Sequence, residues 1–305
     1  MEKIVTMGGG TGHFQILKGL KNYECEITAI VNMSDNGGSS GRLRDEYGIL
    51  PPGDIRQCMV ALASEDESLP LRQLFNYRLK DGHSLGNLII TAATDVFGGS
   101  IQGIKTTSKI LGISGKVLPV TIDNCQLVAE KNSGLIVKGE VEIGKNNGIK
   151  RIWHEPKSFL YKEVAQEIRK ANKIVICPGD LYTSIIPNLI VEGMSKAIKE
   201  SNAIVIVILN LMTKPETHDF TASQFIKEIE KYSGIKIDKI ILNNSKHSEE
   251  VMKLYLSEDS KLIEDDLEND SRVIRGEFAY EYASTPNVIL RHSPEKIANV
   301  IIGLR

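Results

Sequence analysis

Short apolar runs recur along the chain, and each leads through a polar or glycine-bearing loop into a helical pattern. The runs are Lys3–Met7, Ile27–Val31, Lys173–Cys177, Ala203–Leu209, Lys239–Leu242 and Asn287–Leu290. Ala203–Leu209 (AIVIVIL) shows no polar alternation, as expected of a strand covered on both faces. Lys3–Met7 and Ile27–Val31 flank an amphipathic stretch, His13–Lys21. Strand, helix and strand within about 30 residues make a parallel crossover unit. Later helices announce their starts: Pro187 in a first turn, Thr221-x-x-Gln224 as a capping box before Thr221–Tyr232, and Ser293-Pro294 before the last helix, with a further helix near His247–Leu256. This rhythm predicts an α/β fold, a doubly wound and mostly parallel sheet.

Residues 55–150 break the rhythm. Residues 55–111 read as largely helical, with caps at Asp54 and Ser84. From about Val117 to Lys150 the pattern is strand-like, and the Asn132-Ser133-Gly134 turn predicts a hairpin decorating the edge of the main sheet. No long Pro/Ser linker divides the chain, so residues 1–305 are expected to form one domain, with an insert at about 55–150. With 41% hydrophobic and 25% charged residues, disorder and coiled coil are excluded. Lys+Arg 37 against Asp+Glu 39 offers no electrostatic case for nucleic acid. No apolar run reaches the length of about 20 that spans a bilayer. The opening MEKIVTMGGG carries no signal-peptide pattern, and Cys25, Cys58, Cys125 and Cys177 are too scattered for a zinc or redox motif, so a cytoplasmic protein with reduced thiols is expected.

Ligands of open parallel sheets bind beyond the carboxyl ends of the strands, so the loops there carry the functional signal. The first strand runs into Gly8-Gly9-Gly10-Thr11-Gly12, where glycines permit close backbone approach and a helix N-terminus favours an anion. His13 occupies the third glycine position of the dinucleotide fingerprint, and no Gly-Lys-Ser/Thr follows, so neither that motif nor a P-loop is present. After the second strand come Asn32, Asp35, Asn36, Gly37, Gly38, Ser39, Ser40, Arg42 and Arg44, read as a loop whose arginines suit phosphate oxygens. Pro51-Pro52-Gly53 then presents Asp54, a helix cap or a ligand group, and Arg56; His83 and Asn87 open a helix with further donors. The 173–177 strand is followed by Gly179, Asp180, Tyr182, Thr183, Ser184 and Asn188, the 203–209 strand by Asn210 and Thr213, and the 239–242 strand by Asn243. These loops together predict a site for an elongated phosphate-containing ligand, a nucleotide or nucleotide-linked sugar. Asp35, Asp54 and Asp180 are the acids placed for Mg²⁺, the one cofactor the residues suggest. No Gly-x-Ser-x-Gly elbow or His/Cys cluster points to a covalent hydrolase or a transition metal. The acidic segment Glu258–Asp270 and the helical block are candidate docking surfaces for protein partners, and a homodimer is the usual symmetric assembly.

GGGTG (8–12), SDNGGSSGRLRDE (34–46), LPPGDIR (50–56), HSLGNL (83–88) and PGDLYTSIIPNL (178–189) resemble the gluconeogenesis-factor (YvcK-like) family, which is related to the CofD transferases. The resemblance implies a Rossmann-like fold and a cleft lined by these motifs. It implies either a UDP-sugar-binding regulator, of UDP-N-acetylglucosamine type, linking central carbon metabolism to cell-wall synthesis and cell shape, with protein partners there, or a Mg²⁺-dependent transferase moving a 2-phospholactyl group onto a deazaflavin hydroxyl. In the first reading Gly8–Gly12 and Gly37–Arg42 cradle the diphosphate, Arg42 or Arg44 clamps it, and Asn210, Thr213 and Asn243 read base or sugar. In the second Asp35 positions the metal, with Asp180 opposite, or activates the acceptor. By position Tyr255 and Arg291 fall where the family contacts the nucleotide. Three departures stand out: Asn36 replaces a second acid, Asp180 replaces the family's Ser or Asn, and no Gly separates Pro215 from Glu216.

Overall fold

The computed structural model describes residues 1–64, 69–284 and 287–304; residues 65–68, in the expected helical block, lie outside the described residues. The chain runs β1 (Glu2–Gly8), α1 (Gly10–Leu20), β2 (Cys25–Val31), α2 (Gly38–Tyr47), α3 (Pro52–Leu62), α4 (Leu69–Asn76), α5 (Leu85–Val96) and α6 (Ser100–Ile110). Next come β3 (Lys116–Pro119), β4 (Gln126–Lys131), β5 (Ile136–Lys138), α7 (Glu140–Gly144), β6 (Ile149–Glu155), α8 (Lys162–Lys170) and β7 (Lys173–Ile176). A π-helical turn (Leu181–Ile185) precedes α9 (Ile186–Leu189), α10 (Met194–Lys199), β8 (Ile204–Ile208), α11 (Ala222–Ser233), β9 (Lys239–Asn243) and α12 (Glu249–Ser257). The chain ends with β10 (Val273–Gly276), β11 (Ala279–Ser284), β12 (Asn287–His292) and α13 (Pro294–Gly303).

Seven strands form one parallel sheet in the order β10-β9-β8-β7-β1-β2-β3. The strand cores are buried because helices cover both faces: α1 packs with α3 and α13, while α8, α9, α10 and α11 pack together. Thus the doubly wound reading holds. The order reverses between β1 and β7, and a crevice opens at such a reversal because the chains leaving adjacent strands turn to opposite faces.

Local signals set several boundaries. Thr221 and Gln224 form the capping box of α11, Ser84 and Ser293 cap α5 and α13 through their hydroxyls, and Pro187 lies in the first turn of α9. Other expectations need correction. The stretch after β2 is a loop only to Gly37, since Gly38–Tyr47 is helical. Asp54 does not cap α3: prolines at 51 and 52 start that helix earlier, and Asp54 falls in its first turn. The hairpin around Asn132-Ser133-Gly134 forms as β4–β5, but it is no edge of the main sheet, because β6 pairs with β4 and makes a separate three-stranded sheet. Likewise β12 pairs antiparallel with β11 outside the main sheet, whose last strand is β10. Its buried Leu290 packs with Leu211, Met212 and Val251 in a satellite cluster beside the crevice. Among the described residues no helix is long and apolar enough to cross a membrane.

Candidate functional site

The crevice between β1 and β7 is a cavity of about 400 Å³ lined by the loops that follow β1, β2, β7 and β8, with further residues from α3, α7, α12 and β12. One wall is Gly9–Gly12 at the start of α1. Gly10 takes a left-handed φ of 64°, and a side chain at Gly12 would collide with the Pro178 carbonyl, so the two loops close on each other only because glycine stands there. Opposite are Gly179, Asp180 and Ser184. Asn210 joins the β7 and β8 loops reciprocally: its Oδ1 accepts the Gly179 N–H at 3.0 Å, and its Nδ2 donates to the Gly179 carbonyl at 2.6 Å. Behind this, Glu216 Oε1 accepts the Tyr182 N–H at 3.1 Å, while its Oε2 is buried without a protein partner. Burial, with Asp180 nearby, raises the Glu216 carboxyl to about 8.

The floor is acidic. Asp35 Oδ1 accepts the Gly37 N–H at 2.8 Å, holding the carboxylate at the end of the β2 loop. Asp54 accepts from the Gly10 N–H, yet burial and the neighbouring Asp35 push its carboxyl up to about 7. A fourth acid, Glu140, arrives from α7 and hydrogen-bonds Asp35; burial and then repulsion from Asp35 and Asp54 raise it to about 9. Glu140 escaped the sequence reading because its segment shows only a hairpin pattern. Asn36 explains its placement, since Asn36 Oδ1 accepts the Val141 N–H at 3.1 Å and docks α7 against the Asp35 loop. The remaining wall holds Gln15, Lys214, Tyr255 and Arg291. The Tyr255 hydroxyl accepts the Leu290 N–H at 2.9 Å, which fixes the ring against the β12 strand.

Of the residues singled out in the sequence, the cavity gathers Gly9, Gly10, Thr11, Gly12, Asp35, Asp54, Gly179, Asp180, Ser184, Asn210, Tyr255 and Arg291. The others lie outside its lining. Arg42 donates to the Asp81 carbonyl at 2.7 Å, and Arg44 pairs with Asp45 on the wall of a different cavity. Ser39, Asn87 and Arg56 form one buried polar cluster with the half-buried His83: Ser39 Oγ bonds His83 Nδ1 at 2.9 Å and accepts from Asn87 Nδ2 at 3.0 Å, and Arg56 Nε donates to Asn87 Oδ1 at 3.1 Å. Ser40 packs under Gly53 near Asp35, and Gly37 and Gly38 start α2. Tyr182 sends its hydroxyl to Glu228, the Thr183 carbonyl accepts from Asn32, and Asn188 donates to the Ser184 carbonyl. Thr213 accepts the Lys261 N–H, and Asn243 accepts the Phe278 N–H. In the 258–270 segment Asp265 pairs with Arg275, Asp270 with Arg272, and Asp266 holds Thr221 and Ser223 at the start of α11, while Glu258, Asp259, Glu264, Asp266 and Glu268 are exposed.

A family model described as 2-phospho-L-lactate transferase CofD matches residues 4–279. Gluconeogenesis factors of Halalkalibacterium halodurans and Bacillus subtilis are 40% and 37% identical over 310 and 311 residues, covering 99% of this chain and 96% and 98% of theirs. The chain belongs to the CofD family, among its gluconeogenesis factors. A relative of these gluconeogenesis factors from Thermotoga maritima is 43% identical over 309 residues, covering 98% of each chain. Two solved structures of one Bacillus halodurans protein superpose with TM-scores of 0.92 and 0.93 at 39% and 38% identity, covering 99% of this chain and 99% and 100% of theirs. The CofD-type fold thus accounts for the sheet reversal and for the loops that meet there.

Proposed function

We infer that this gluconeogenesis factor binds a nucleotide-linked sugar, of UDP-N-acetylglucosamine type, in the β1/β7 cavity and acts as a cytoplasmic regulator between central carbon metabolism and cell-wall synthesis, with an effect on cell shape. The observation that carries the reading is the pairing, across one cavity, of the glycine-built α1 N-terminus with Tyr255, Lys214 and Arg291. Backbone N–H groups at that helix start receive the diphosphate, Arg291 and Lys214 supply positive charge, and the Tyr255 ring offers a stacking face for base or sugar. Asn210, whose amide is spent on Gly179, positions the wall and leaves the reading of the base to others.

Among the described residues no three His, Cys, Asp or Glu side chains form a ready metal nest. Mg²⁺ does not require one, because it binds through one or two carboxylates together with ligand phosphates and water. The acidic floor suits that mode: Asp35 and Asp180 would hold the ion, which neutralises diphosphate charge beside the crowded carboxyls. This floor also favours a second reading, group transfer of the 2-phospholactate type, in which Asp35 positions the acceptor hydroxyl and GMP leaves. Calorimetric titration with UDP-N-acetylglucosamine and with GDP, each with and without Mg²⁺, separates the two. Metal-independent preference for the UDP-sugar supports the regulator. Preference for GDP only with Mg²⁺, together with GMP release on adding donor and acceptor, replaces it with the transferase.

A further inference from the structure

A second cavity, of about 620 Å³, is lined by Met33, by the end of α2 and its exit to Pro51, by the Gly98–Gln102 turn into α6 and by residues 122–125. It shares two short segments with the first cavity but none of its lining residues. Met33 lines one cavity and Asp35 the other; Pro51 lines one and Asp54 the other. Its volume lies in the range of small-molecule sites, about 300–1,000 Å³. Apolar side chains supply part of the wall, among them Ile122, which stands 53% exposed there. The lining holds one cation, Arg44, whose side chain is 17% exposed and whose counter-ion Asp45 is 70% exposed. The other acid of the lining, Asp123, is occupied by the Thr121 hydroxyl and the Phe159 N–H.

A buried polar chain leads from this wall toward Asp35. The Cys125 thiol bonds Ser158, Ser158 Oγ meets His154 Nδ1 at 2.6 Å, and His154 Nε2 meets Ser34 Oγ at 3.3 Å. Each of the four residues is at most 6% exposed. Buried polar groups are costly unless all are bonded, so the chain holds the wall of the second cavity and the loop of the first in one arrangement.

We propose that the second cavity is a binding site for a small amphipathic organic anion, its anionic group on Arg44 and its apolar body against Met33, Leu50, Ile101 and Ile122, and that its occupancy changes affinity in the β1/β7 cavity. The first half stands without the nucleotide reading; the coupling rests on it.

The probe is 1-naphthyl phosphate, followed by its fluorescence, with 2-naphthol and inorganic phosphate as partial analogues. The expected result is one saturable site that UDP does not compete for directly. Arg44→Met weakens 1-naphthyl phosphate at least about tenfold, the scale of a charge-assisted contact, and leaves 2-naphthol unchanged. Ile122→Trp, at an exposed position that tolerates bulk, weakens both ring compounds. Unchanged binding in both variants, or displacement by UDP in direct competition, overturns the site. Inorganic phosphate binding as tightly as the naphthyl ester overturns the amphipathic class. With the probe saturating, UDP affinity should shift, and by reciprocity UDP should shift probe affinity by the same factor; identical UDP affinity with and without probe overturns the coupling. If UDP does not bind the wild type at all, the nucleotide reading fails and the coupling with it, while the Arg44→Met contrast still decides the second site.

Discussion

Replacing Asp54 by Asn should flatten the pH dependence of stability between about pH 4 and pH 7. Folding lifts this carboxyl from 3.8 to about 7, because it leaves water and sits beside Asp35. An acid whose folded value is raised keeps its proton after the unfolded chain has lost it. The contribution of Asp54 to stability is therefore highest below pH 4, falls as pH rises toward 7, and levels off above. At about 1.36 kcal/mol per pH unit the decline amounts to about 4 kcal/mol at most. Asn retains an acceptor for the Gly10 N–H and never ionises, so Asp54→Asn keeps the loop contact and loses the penalty. Urea unfolding of both proteins at half-unit pH steps, without ligand, gives the difference curve. It should grow by one to four kcal/mol toward pH 7 in favour of the variant. Parallel curves for the two proteins would refute the buried, repelled state of Asp54. A control sharpens the cause: Asp35→Asn removes the neighbouring charge and should shift the wild-type decline to lower pH.

Other consequences follow from single contacts. Asn210→Ala strands both backbone groups of Gly179 and should cost about 1–3 kcal/mol in denaturant unfolding, with weaker ligand binding in titration. Gly12→Ala drives a methyl group into the Pro178 carbonyl; nucleotide binding should be lost while far-ultraviolet circular dichroism still reports a folded sheet, and unaltered binding would show that the two loops need not close. Arg291→Ala should weaken UDP-sugar binding by about tenfold in calorimetry, whereas Arg42→Ala, whose guanidinium holds the Asp81 carbonyl, should leave it unchanged. Glu216→Gln keeps an acceptor for Tyr182, so it should match the wild type near pH 4, gain on it as pH rises from about 4.5 to 8, and hold a constant advantage above pH 8, because the unfolded chain ionises this carboxyl while the interior keeps it protonated.

The sheet was legible because a strand covered on both faces has no choice but to be apolar throughout, as in Ile204–Ile208. The loops at its rim were legible for a related reason: glycines and acids directly after such strands bring no apolar side chain to the core. Side-chain direction was not legible. Arg42 and Arg44 read as a pair of phosphate clamps, but once α2 begins at Gly38 they stand two apart on a helix and cannot face one way. Glu140 illustrates the opposite failure. It reaches the site through a small separate sheet and the Asn36–Val141 contact, and neither periodicity nor spacing encodes a link across 105 residues.

The place of β1 in the sheet shapes the birth of the protein on the ribosome. β1, which precedes the other six strands of the sheet along the chain, lies in its interior, with β2 and β3 on one side and β7 to β10 on the other. As translation proceeds, β1–β2–β3 can assemble early, but the opposite edge of β1 stays unpaired until residues 173–176 emerge. An open, apolar strand edge is a template for mispairing between neighbouring nascent chains. The ligand cavity is later still, since Arg291 and His292 belong to its wall and follow every strand of the main sheet. A chain halted before them would carry all seven strands of the main sheet and an incomplete site.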